Sequence, residues 1–154
     1  MAPVLTAEIF RSPMIDYRIV AVGALLPIVD VVIGSASVTH TLLFPVGLLT
    51  VVMLATQKQR LVRRRWLGLP IGAFFHLVLD GTWTGARPFW WPATGFGFEG
   101  LLAPETTRPS SLILFLEAVS IAVGWWAWRR YELERQVNRR RLIKSGQLSR
   151  EVIS

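Results

Sequence analysis

Four apolar runs, at 17 to 33, 39 to 55, 66 to 79 and 112 to 128, set the terms on which this chain can fold. Each falls slightly short of the roughly 20 residues typical of a membrane-crossing helix, the third most clearly. A water-soluble domain would cover such segments with charge, but 52% of the 154 residues are hydrophobic and only 18% are charged. The runs therefore predict an all-α, polytopic membrane protein, a bundle of about four transmembrane helices spanning 17–128. Residues 1–16 read as a cytoplasmic lead-in, 81–110 as an extracytoplasmic loop, and 129–154 as a basic cytoplasmic tail. Pro45 and Gly47 lie inside the second run and predict a kink rather than an end, because neighbouring helices can satisfy the freed backbone groups.

The charge agrees with this placement. A net charge of +7 suits a nucleic-acid partner only if the charge forms a face, and here it does not. Five of the 17 basic residues lie between Lys58 and Arg65 and eight between Arg129 and Arg150, each group abutting the end of an apolar run. That is the distribution the positive-inside rule produces, so no nucleic-acid partner is expected, and both termini are assigned to the cytoplasm. The seven Trp residues lie near run ends, where indole rings favour the hydrocarbon boundary. Ser35-Ala36-Ser37 has the small residues of a signal-peptide cleavage site, but the long preceding segment contains Asp16 and is not strongly basic, which favours a retained helix. With no cysteine, disulfides and thiolate metal ligands are excluded.

The chemistry gathers on the outward side. In His76-Leu-Val-Leu-Asp80 the imidazole and the carboxylate are four residues apart, hence on one helical face, in an otherwise uncharged segment. An ionisable pair in such a setting marks a functional site. The assigned topology puts Asp30 at the outward end of the first run, His40 at the outward start of the second, and Asp80 at the outward end of the third. Two imidazoles and two carboxylates at one depth suit zinc or a similar divalent ion, with water completing an open position. Taken singly, Asp30 and Asp80 would each suit a capping or solvated role, and His40 alone would carry little weight.

Glu117 lies six residues inside the last run, about 9 Å deep by helical rise, level with the proposed ion. It is expected to face the bundle interior, as a further ligand, as an acceptor from a ligating imidazole, or as the general base acting on metal-bound water. A structural hydrogen bond to a neighbouring helix would account for it equally well. Arg87, in the long loop, is a candidate for contacting a substrate phosphate, with an interface anchor as the plainer role.

The segments Leu26-Pro27-Ile28-Val29-Asp30, Thr39-His40-Thr41, His76-Leu77-Val78-Leu79-Asp80 and Trp91-Pro92 together resemble a family of small bacterial inner-membrane proteins classed as metal-dependent hydrolases. The resemblance covers 17 to about 95. It departs at Ile28, where the family pattern has an aspartate, and at Gly34 to Val38, which replace a His-Arg-Gly stretch. It implies hydrolysis of an ester or phosphoester, and the outer-face location suggests a lipid-linked substrate. The competing expectation is a non-catalytic membrane scaffold whose polar cluster fixes helix packing and whose aromatic loop docks a membrane protein partner. Ile28 favours the scaffold. Proton or ion translocation is weaker, since only Glu117 lies well inside a run.

Overall fold

The computed structural model describes residues 1–29, 38–84, 89–96 and 108–153. Among them the regular structure is entirely helical, as the runs predict. The lead-in is itself largely a helix, α1 (Ala2–Phe10), with Pro3 in its first turn, where a missing N–H costs nothing. Asp16 starts α2 (Tyr17–Leu25), its carboxylate accepting a hydrogen bond from the Arg18 N–H, a standard N-cap. A 3₁₀ turn at Val38–His40 leads into α3 (Leu43–Ala55). The basic α4 (Arg60–Trp66) and the apolar α5 (Gly68–Leu79) share Leu67, whose φ of −56° is helical, so the chain runs from one into the other with only a local change. A second 3₁₀ turn, Thr82–Thr84, follows. Then come α6 (Ser110–Arg130), α7 (Gln136–Ser145) and α8 (Arg150–Ile153).

The expected set of about four spans is not what the described helices show. One of them, α6, is long and apolar enough to cross a membrane, its 21 residues reaching about 30 Å. By contrast α2 has 9 residues, α3 has 13 and α5 has 12. Local chemistry accounts for the shortness. Pro27 follows the end of α2, and Asp80 with Gly81, at φ 63°, stops α5.

Glycine determines how α2 and α5 meet. A Cβ on Gly72 would overlap the Val20 carbonyl oxygen, and one on Gly23 would overlap the Leu69 carbonyl oxygen. The two backbones are therefore in direct contact, an approach only glycine permits. In turn α1 lies against α2, α5 and α6, and α3 lies against α5.

The buried core is built where sequence-distant segments converge. Ala2, Ala7, Ile15, Tyr17, Val20, Phe75, Ala127, Tyr131, Leu148, Val152 and Ile153 form it. The tail is thus not merely a solvated anchor. The Arg18 guanidinium donates to both Asp16 carboxylate oxygens and to the carbonyls of Ile143 and Lys144, while the Tyr17 N–H donates to the Gly146 carbonyl. Gly146 adopts φ 69°, and a Cβ there would collide with Asp16. Tyr131 donates its hydroxyl to Glu8 at 3.0 Å, closing the ring between α1 and the end of α6. Burial, reinforced by the Glu8 carboxylate beside it, pushes the Tyr131 phenol well above its ordinary pKa. Away from this core, α3 and α6 expose Leu49, Val51, Leu54, Leu114, Phe115 and Ile121.

Candidate metal centre

The last turn of α5 delivers the pair the spacing predicts. His76 Nε2 lies 2.8 Å from Asp80 Oδ2, one helical turn on, with both side chains largely shielded. Asp80 is also the residue on which α5 ends, its N–H still bonded to the His76 carbonyl at 2.9 Å. Helix termination therefore fixes the carboxylate at a defined height. His40 arrives from the facing 3₁₀ turn and is completely buried, its ring centroid 6.0 Å from that of His76 at 71°. The turn is held from two sides. The Thr41 hydroxyl donates to the Val38 carbonyl at 2.7 Å, and the Leu42 N–H donates to the Phe89 carbonyl at 2.9 Å. The aromatic segment containing buried Phe89 thus locks the segment that carries His40.

One ligand atom from each of His40, His76 and Asp80 lies within 4.8 Å of the others. Four-coordinate zinc with bonds of 2.0–2.2 Å spaces its ligand atoms roughly 3.3–3.6 Å apart, so small side-chain rotations bring the three donors to one ion. Two imidazoles and a carboxylate are also the donor set that catalytic zinc sites use while leaving a position open. The residues present fit the ion.

Beside them lies a cavity of about 690 Å³ bordered by His76, Asp80, Arg108 and Glu117, by Met1 and Ala2 at the start of the chain, and by aliphatic side chains such as Ile28 and Leu116. Glu117 borders it from α6, although its side chain remains exposed and it stands outside the three-residue ligand cluster. Asp30 and Arg87 lie outside the described residues. Ile28, two residues before Asp30, lines the cavity, so the position where the resembled pattern has an aspartate borders the site with an aliphatic side chain.

Arg108 escapes the sequence reading. Its Nη2 donates to the Asp80 carbonyl oxygen and its Nη1 lies 3.9 Å from Asp80 Oδ1, tying the start of α6 to the end of α5. A signal was available. Under the topology expected from the sequence, Arg87 and Arg108 are the two basic residues of segment 81–110, which the positive-inside rule would leave poor in charge.

No family model, curated protein or solved structure matches this chain.

Proposed function

We propose that the chain is a membrane-embedded, metal-dependent hydrolase acting on an ester or phosphoester of a lipid-linked substrate at the extracytoplasmic face of a bacterial inner membrane. The observation that carries this reading is the meeting of His40, His76 and Asp80, two of which, His76 and Asp80, border a largely apolar cavity. Apolar side chains exposed along α3 and α6, and the length of α6, support the membrane placement. His40, His76 and Asp80 would hold the ion, with Asp30 a proposed further ligand. Zinc or a similar ion, once bound, supplies Lewis-acid polarisation and an acidified water.

The remaining work falls to the chain. Arg108 fixes Asp80 by its carbonyl and brings a positive charge to the cavity, where a phosphate or a developing oxyanion would be stabilised. Arg87 is a proposed second contact to such a phosphate. Glu117, across the cavity on α6, is the proposed general base, taking the proton from the attacking water. The aliphatic wall offers an apolar surface for an alkyl chain.

The test combines metal analysis with two substitutions in purified protein. Wild type should carry about one zinc-like ion per chain, and His76→Ala should lose it. Glu117→Gln should keep the metal while hydrolysis of a phosphoester probe falls about 10²-fold. Retained activity in that variant removes Glu117 from the mechanism. A second reading, a membrane scaffold, draws support from the Arg108–Asp80 contact, which can serve simply to clamp α5 to α6. Absence of bound metal under every preparation would favour the scaffold.

A further inference from the structure

A second hollow, which shares no lining residue with the cavity at the proposed metal centre, carries a different chemistry. Phe10, Arg11, Met14, Arg64, Arg150 and Ile153 line an open pocket of about 520 Å³. Its three guanidinium groups come from three elements far apart in sequence: the end of α1, the interior of α4 and the first residue of α8. Arg11 adopts φ 43°, a conformation that side chains other than glycine rarely take, and its N–H is held by the Ala7 carbonyl at 3.0 Å. Among the described residues, no acidic side chain lines the hollow.

Arg18, Arg108 and Arg135 each stand within 4.0 Å of a carboxylate oxygen; among the described residues Arg11, Arg64 and Arg150 do not, and unlike the other arginines without such a partner these three share one hollow. Three like charges brought around one hollow repel each other, and an anion seated between them reverses the sign of that interaction. The surroundings indicate its source. Ile9, Phe10 and Leu61, beside Arg11 and Arg64 along the chain, are exposed, and cations framed by exposed apolar side chains match a lipid–water boundary better than open water.

We propose that this pocket binds the phosphate of an anionic phospholipid headgroup at the cytoplasmic face. The guanidinium forks of Arg11, Arg64 and Arg150 hold the phosphate oxygens. Phe10, Met14 and Ile153 contact the glycerol and the first methylenes. The site shares the membrane placement proposed above but none of the residues of the metal centre, so either proposal can fail while the other stands.

The experiment uses the full chain in phosphatidylcholine nanodiscs doped with phosphatidylglycerol, with lipid retention read by native mass spectrometry. Wild type should retain about one phosphatidylglycerol per chain. Arg64→Gln and Arg150→Gln should each lower retention about fivefold or more, while Arg140→Gln, the same charge change on exposed α7, should leave it unchanged. All three arginines are exposed, so the helical circular-dichroism spectrum should persist, and Arg150→Gln tests the site independently of α4. An equal loss in Arg140→Gln would overturn the proposal in favour of diffuse attraction. Retention of phosphatidylcholine equal to that of phosphatidylglycerol would also overturn it. Displacement of the lipid by millimolar inorganic phosphate would overturn the lipid assignment and leave a soluble-anion site.

Discussion

Asp16 shows how one carboxylate can serve both a helix end and a distant segment. Burial opposes its ionisation, but hydrogen bonds from the Arg18 side chain and N–H outweigh that cost and hold the carboxyl below its ordinary value. A depressed pKa means stabilisation that is present above the unfolded value, near 3.9, and lost as pH falls through the folded one. Asp16→Asn keeps a good N-cap and removes the charge, so a plot of melting temperature against pH should lose part of its acid limb in that variant. An unchanged acid limb would show that the ion pair contributes nothing. At the same scale, His76 and Asp80 are legible in the sequence because helical spacing alone puts them side by side, and their apolar surroundings leave them no trivial role. The contact that Arg108 makes is not legible, because its partner is 28 residues away and includes a backbone carbonyl, which no side-chain pattern records.

At the scale of elements, the apolar runs identify helices but mislead about their lengths. Hydropathy ends the third run at 79, where Asp80 and Gly81 stop α5, but it does not show that α2 stops at Leu25 or that α3 starts only at Leu43. Nor does it reveal that α2 and α5 touch through their backbones. Gly68 and Gly72, four residues apart, with Gly23 on the facing helix, carry that information as small residues at helical spacing. Gly72→Ala should force the helices apart and destabilise the protein by about 1–3 kcal/mol, the usual cost of overpacking. Gly47→Ala, on α3, meets nothing within 4 Å and should be neutral or stabilising by about 0.5–1 kcal/mol. Chemical or thermal denaturation in detergent compares the two. Similar effects would mean that the close approach of α2 and α5 does not govern stability.

For the whole molecule, the all-helical architecture and the chemical pole formed by His40, His76 and Asp80 follow from pattern and charge. The tail's role does not. Its buried residues, Leu148, Val152 and Ile153, are too few to stand out among the arginines around them. Deleting 136–153 removes those side chains, each contributing about 1.5–3 kcal/mol by burial, together with the carbonyls that receive Arg18. The truncated chain should melt several degrees lower, or fail to give a monodisperse detergent complex. Reporter fusions after residue 153 and within 81–110 should report opposite compartments, and agreement between them would sink the proposed topology.

The contact of Tyr131 with Glu8 spans 123 positions, and Gly146 receives the N–H of Tyr17. Synthesis proceeds at about 5–20 residues per second, so α1 and the start of α2 exist for many seconds before their partners emerge from the ribosome. Through that interval Ala2, Ala7 and Ile15 have no tail to cover them. Assembly therefore includes a docking step that waits for the tail to emerge, and until then the amino-terminal helix is the segment open to chaperones, proteases or a neighbouring nascent chain.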